Sequence, residues 1–271
     1  MINITETEFS QLASYIQFNY GINLTEKKKT LLIGRLSNVL EEKNIKSFSD
    51  YYEYIVSDHS GQAVTELINK ITTNHTFFMR EADHFKYFQN EVLPYMKRTI
   101  SNKDFRIWSA GCSSGEEPYT LTMIIHDFFK SDLLFWDTQL LATDISDKVL
   151  EKAKSGIYSE SEIASLPLHW KMDYLSKLGS DAYVVNTVIK KDVVFKKFNL
   201  MESKFPFKKR FHVIFCRNVM IYFDNNTKEE LVNKFYQMME PGGYLFIGHS
   251  EALNRETTSF KYVMPAVYRK E

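Results

Sequence analysis

Apolar residues recur at three- and four-residue steps through the first part of the chain. Phe9, Leu12, Ile16 and Tyr20 make one stripe, and Leu31, Leu32, Leu36, Val39 and Leu40 a second. Shorter helices are predicted over residues 48–56 and 63–72, with Gly21, Asn44 and Gly61 as breaks. Another helical stretch, over about 81–100, leads into a different pattern. From about Lys103, short apolar runs alternate with helical ones. Residues 105–108, 139–143, 212–215 and 244–247 read as strands, and 119–129, 148–155 and 228–239 as helices. Such alternation predicts an α/β fold with a mainly parallel, Rossmann-like sheet covered on both faces. Ligands of such sheets sit outside the carboxyl ends of the strands. Residues 157–198 interrupt the alternation. Val184-Val185, Val188-Ile189 and Val193-Val194-Phe195 are β-branched runs read as a small antiparallel β insertion. The expected division is an all-helical domain over 1–75 and an α/β domain over 76–271, the insertion lying within about 157–198.

Composition narrows the function. The 271 residues carry 34 Lys+Arg against 34 Asp+Glu, and residues 1–75 alone hold seven against nine. Neither part offers the bulk positive charge that duplex nucleic acid or an anionic membrane surface requires. Two cysteines exclude a disulfide framework, and the seven histidines show no metal-ligand spacing, so no metal is expected. The start lacks a basic-then-apolar signal pattern, and no apolar run approaches 18 residues. A reduced, cytoplasmic setting is therefore expected.

The most informative stretch follows the first strand: Gly111-Cys112-Ser113-Ser114-Gly115-Glu116-Glu117-Pro118-Tyr119. A glycine-bearing turn between strand and helix lets backbone approach a ligand, though the G-x-G-x-x-G fingerprint is absent. Glu116 and Glu117 suit the helix dipole. They also repel a pyrophosphate and suit a ligand with an amino group or positive charge. Asp144 ends the second strand, where it either binds ribose hydroxyls or caps the next helix.

Six ordered segments resemble the chemotaxis receptor methyltransferases, the CheR family of class I S-adenosylmethionine methyltransferases. They are Thr72-Thr-Asn74-His-Thr76-Phe-Phe-Met-Arg80-Glu81, Ala110-Gly-Cys-Ser-Ser-Gly-Glu-Glu-Pro-Tyr119, Ala142-Thr-Asp144-Ile, Phe198-Asn199-Leu200, Phe215-Cys-Arg-Asn218-Val-Met-Ile-Tyr222-Phe and Gly248-His-Ser-Glu251. The resemblance implies a methyltransferase that forms glutamate methyl esters on receptor signalling helices, using S-adenosylmethionine and releasing S-adenosylhomocysteine. It places Asn74, Thr76 and Arg80 at the methionine end of the cofactor. Gly111 lies in the cofactor loop. Glu117, or else Glu116, meets the amino group. Asp144 meets the ribose, Asn199 and Leu200 the adenine, and Arg217 and Asn218 the region near the reacting methyl. Arg80 and Tyr222 are the candidates for orienting the acceptor carboxylate.

The implied partner is an acidic receptor helix, which Lys27, Lys28, Lys29 and Arg35 would meet. No nucleic acid or membrane insertion is expected, and a monomer is. By the resemblance, the insertion corresponds to the family's β-subdomain, which in some relatives, those carrying a glycine-rich turn there, binds a receptor-terminal peptide by adding a strand. With a single glycine there, Gly179, direct recognition of the receptor body is expected instead. Two other readings stand beside this one: an amino-group methyltransferase, and a non-catalytic cofactor-binding sensor.

Overall fold

The structure is a computed structural model that describes residues 3–271. The chain divides into two compact units. The first comprises the residues up to Asn74 together with 199–201 and 222–228. The second comprises the rest.

Helix α1 (Glu6–Tyr20) opens on a capping box. The Thr5 hydroxyl accepts from the Glu8 amide at 3.2 Å, and the Glu8 carboxylate accepts from the Thr5 amide at 2.8 Å. It ends at Gly21 in the left-handed region. Helices α2 (Lys29–Glu42), α3 (Phe48–Ser57) and α4 (Gln62–Ile71) follow. Their stripes bury Leu12, Ile16, Leu32, Leu36, Val39, Leu40, Tyr51 and Leu67 completely. Each such aliphatic side chain contributes about 1.5–3 kcal/mol.

Two later segments complete this unit. Ile22 bridges Phe223, the Asn23 amide donates to the Tyr222 carbonyl at 2.8 Å, and Asn199 Nδ2 donates to the Asn19 carbonyl at 2.8 Å. A boundary drawn at residue 75 misses these segments, because local periodicity says nothing about which distant loop closes a core.

In the second unit, the helical run predicted over 81–100 is α5 (Ala82–Tyr87), a π turn over Phe88–Val92, and α6 (Leu93–Thr99). There follow β1 (Ile107–Ala110), α7 (Glu116–Phe129), β2 (Leu140–Asp144), α8 (Asp147–Ser155), β3 (Ile157–Ser159), α9 (Leu168–Tyr174), β4 (Leu175–Leu178), β5 (Ala182–Val185), α10 (Thr187–Lys190), β6 (Val193–Lys197), β7 (Phe211–Cys216), α11 (Asn225–Gln237), β8 (Met239–Ile247), β9 (Lys261–Met264) and β10 (Val267–Arg269). The first residues of α11 belong to the first unit.

The main sheet runs β6-β2-β1-β7-β8-β10-β9, parallel from β6 to β8 and antiparallel at β10 and β9. β1, the middle of the five parallel strands, is buried at every position, as a strand covered on both faces must be. Trp108 anchors it. The indole donates to Thr143 Oγ1 at 2.9 Å amid Phe205, Phe207, Phe211 and Phe235.

The insertion differs in part from its reading in the sequence. Its antiparallel sheet is β3-β5-β4, which includes Val184-Val185. Val188-Ile189 lies in α10 instead, and Val193-Val194-Phe195 belongs to β6, the parallel edge of the main sheet, with Val193 opposite Leu140. A β-branched run fits either sheet equally well, so composition alone does not choose between them. No helix among the described residues is long and apolar enough to cross a membrane.

Candidate active site

The loop after β1 is fastened to the end of β2. The amides of Gly111 and Cys112 both donate to the Thr143 carbonyl, at 2.8 and 2.9 Å. The Ser113 amide donates to Asp144 Oδ2 at 2.9 Å. Gly115, at φ +100°, opens α7, and a Cβ there would lie 2.9 Å from the Tyr158 hydroxyl and 3.0 Å from the Ala153 methyl. Only glycine meets both demands.

Asp144 Oδ1 accepts from the Ser146 amide at 3.0 Å, and it is Ser146 that caps α8. The capping alternative for Asp144 is thus removed. Burial pushes the Asp144 carboxyl up, against the pull of these amides. A carboxylate has about four lone-pair sites, so capacity remains for ligand hydroxyls.

The two acids that open α7 part company. Glu116 is buried and takes the Ser114 hydroxyl at 2.8 and 2.9 Å, and burial pushes its carboxyl up. Glu117 turns to the strand ends instead. Ser109 Oγ donates to its Oε1 at 2.7 Å, and Arg217 donates to its Oε2 at 2.9 Å. Glu117, rather than Glu116, therefore faces the carboxyl ends of β1 and β7.

Arg217 is the hub. Its side chain, 2% exposed, also donates to Glu81 Oε2 at 3.0 and 3.3 Å and to the Arg80 carbonyl, and it lies over the Phe85 ring. With its N–H groups so engaged, Arg217 holds two carboxylates rather than presenting itself to a ligand. Asn218 Nδ2 donates to Glu81 Oε1 at 3.2 Å. For Glu81, burial pushes upward, but Arg217, Asn218 and the His249 amide outweigh it and hold the carboxyl below its ordinary range.

Backbone strain concentrates here. Met79, Glu81, Ser113 and Asn218 all sit at φ between +48° and +61°, a conformation costing about 1–3 kcal/mol each for a residue other than glycine.

Glu251 stitches the loops together. Its carboxylate accepts from the amides of Asn218 at 3.0 Å, Ile221 at 3.1 Å and Gly248. Glu81 and Glu251 both fall within the quoted segments. The signal was present, but nothing local marked Glu81 as the partner of Arg217, 136 positions away, or Glu251 as the acceptor for the 218–221 loop.

The other expected residues are placed as follows. Arg80, half-buried, donates to the His75 carbonyl at 2.7 Å and lies over the Phe77 ring, and it makes no ion pair among the described residues. Thr76 is half-buried in the second unit. Asn74, Asn199, Leu200 and Tyr222 belong to the first unit. There Leu200 is buried, and Asn74 Nδ2 lies 3.4 Å from Asn69 Oδ1. The Tyr222 hydroxyl brackets one residue, accepting from the Thr73 amide at 2.9 Å and donating to the Thr73 carbonyl at 3.2 Å.

In the basic group, Lys27 is exposed. Lys28 donates to the Asn23 carbonyl at 3.3 Å, and Lys29 pairs with Glu6. Arg35 donates to the carbonyls of Lys70, Ile71 and Thr72, closing the end of α4. Cys112 and Cys216 are free, buried thiols, pushed well up by burial, which keeps them in the unreactive protonated form.

A parallel sheet with a glycine-bearing loop after β1 and acids at the ends of neighbouring strands defines a Rossmann-like, S-adenosylmethionine-dependent methyltransferase. Residues 74–268 match the family described as CheR methyltransferase, SAM binding domain, and residues 7–72 match CheR methyltransferase, all-alpha domain. The chain belongs to the CheR methyltransferase family. It is 47% identical to a chemotaxis protein methyltransferase of Borreliella burgdorferi, over 99% of this chain and 96% of that one. It is 35% identical to the chemotaxis protein methyltransferase Cher2 of Pseudomonas putida, over 91% and 90%. With the chemotaxis protein methyltransferase of Escherichia coli it shares 33% identity, over 98% and 91%.

Proposed function

We propose that the chain esterifies glutamate side chains on the cytoplasmic signalling helices of chemoreceptors, drawing the methyl from S-adenosylmethionine and releasing S-adenosylhomocysteine. The observation that carries this reading is the pair of acids at adjacent strand ends, Glu117 beside β1 and Asp144 at the end of β2. Glu81 and Glu117 share Arg217 as their buried cation, and Asp144 adds a third carboxylate at the next strand end. Such a surplus of carboxylate fits a ligand bearing a sulfonium and an ammonium against one carboxylate. Glu117 would hold the amino group and Asp144 the ribose hydroxyls. Gly111, Thr76 and Asn218 would line the grip.

Bound there, S-adenosylmethionine supplies an electrophilic methyl. The acceptor needs no general base, because a glutamate side chain with a pKa near 4.3 is already ionised at neutral pH. The chain's task is to position that anion and to offset the cost of taking it out of water. Arg80 suits the role, since a guanidinium grips two carboxylate oxygens in a fork and only one of its terminal nitrogens is engaged, with His75. Tyr222 would act by holding the Thr73 peptide next to Asn74.

We place the protein in the cytoplasm, as a monomer. It would recognise the receptor body directly, with Lys27 the exposed member of the basic group. Incubation with labelled S-adenosylmethionine and receptor-bearing membranes tests the reading. Label released by mild alkali is expected. Alkali-stable label would mark methylation of an amine, and no label a cofactor-binding module.

A further inference from the structure

Glu81, His84 and His249 form a second constellation beside the Arg217 hub. Their ligand atoms all lie within 4.8 Å of one another. His84 is completely buried, yet neither of its ring nitrogens makes a well-formed hydrogen bond among the described residues, the Pro265 backbone offering only a weak one. Leaving such groups unmet costs their full desolvation. Buried polar atoms without partners are rare enough to need a reason. The ring is aimed into the cluster: Nδ1 lies 3.5 Å from Glu81 Oε2, and the His249 ring meets it edge-on at 4.6 Å between centroids. The His249 amide donates to Glu81 Oε1 at 3.2 Å, which fastens that loop to the same carboxylate.

We propose that Glu81, His84 and His249 bind a divalent transition-metal ion of the Zn2+ type, and that the bound ion weakens the cofactor grip by drawing Glu81 away from Arg217. Two imidazoles and a carboxylate are a donor set that zinc accepts, with a fourth position left for water. Bonds of about 2.0–2.2 Å in a tetrahedron set ligand atoms about 3.4 Å apart. The Glu81–His84 pair already stands at that separation. The exposed His249 side chain has the freedom to close the remaining distance.

The opposing force is Arg217, which donates twice to the very oxygen nearest His84. Two cations compete for one carboxylate oxygen and repel each other. An ion on Glu81 therefore loosens Arg217, and Arg217 also holds Glu117. The metal site stands on its own geometry, whereas its coupling to the cofactor rests on reading Glu117 as part of the grip. Coupling of this kind is reciprocal, so the cofactor must weaken Zn2+ binding by the same factor.

The test titrates Zn2+ into the full chain against a chromophoric chelator, and S-adenosylmethionine into it by calorimetry with and without Zn2+. One ion per chain is expected, with affinity lowered at least about tenfold in His249→Ala, as loss of a ligand should cost no less than loss of an outer partner. Saturating Zn2+ should raise the Kd for S-adenosylmethionine by about fivefold or more in the parent, and not in the variant. Zn2+ affinity unchanged in His249→Ala overturns the site. Zn2+ bound through His249 without any effect on the cofactor overturns the coupling. A chain that binds Zn2+ through His249 and never binds S-adenosylmethionine upholds the site and refutes the cofactor reading.

Discussion

Arg217 and Glu81 meet through two hydrogen bonds to a single carboxylate oxygen, at 3.0 and 3.3 Å, with the arginine side chain 2% exposed. Removing one partner of a buried pair leaves the other charge uncompensated. Here it would leave two, since Glu117 loses its partner as well. Arg217→Met is predicted to lower the unfolding free energy by about 3–5 kcal/mol, and adding Glu81→Gln should recover part of the loss. Urea denaturation of the two variants checks this. A loss under about 1 kcal/mol would mean that the ion pair carries no structural weight.

Glu251 receives three amides on two oxygens. Glu251→Gln replaces one acceptor oxygen with a donor that must face an N–H. The predicted cost is about 1–3 kcal/mol of stability, accompanied by weaker S-adenosylmethionine binding as the 217–221 loop loosens. Calorimetric binding to the folded variant measures the second effect, and unaltered affinity would sever Glu251 from the site.

Arg80→Ala removes a half-buried side chain held by one carbonyl and one ring face. Methyl transfer should fall by about 100-fold, the scale of a lost positioning group, with the melting temperature nearly unchanged. Near-normal turnover would take Arg80 out of the mechanism.

His212 gives an acid sensitivity of definite sign. Its Nδ1 accepts from the Arg106 amide at 3.1 Å, which only a neutral ring can do. Burial first, and then Arg106, push it down from 6.5 to about 4. The unfolded chain therefore binds a proton that the folded chain does not between those values. Stability is full above the unfolded value and falls as pH drops from 6.5 towards about 4. Denaturation midpoints across that window should decline less steeply in His212→Asn. An unchanged slope would assign the acid loss to other groups.

Arg35 closes the end of α4 on three carbonyls. Arg35→Gln should thus destabilise the first unit by about 1–2 kcal/mol while leaving the salt dependence of receptor methylation as it was. A flattened salt dependence with intact stability would restore Arg35 to the docking surface.

The helices and the central strands were legible because burial imposes a period. The stripe Phe9, Leu12, Ile16 and the runs ending at Gly111, Asp144 and Arg217 all fall where the pattern sets them. Asp144 and Glu117 were legible as candidates because strand ends are where such folds bind ligands. The roles of Arg217, Glu81 and Glu251 were not, since each depends on a partner brought close only by the sheet order. Val193-Val194-Phe195 was misassigned for the same reason: whether a β-branched run pairs with β2 or β5 is decided by register, and register is non-local.

The first unit draws Asn199 and residues 222–228 from late in the chain. The four helices are translated before these segments, and the Asn19–Asn199 bond and the Ile22–Phe223 bridge must wait until β6 and β7, respectively, have been made. The nascent helical segment therefore exposes unfinished surface for most of its time on the ribosome. The helices of this unit are thus completed only by residues made well after them.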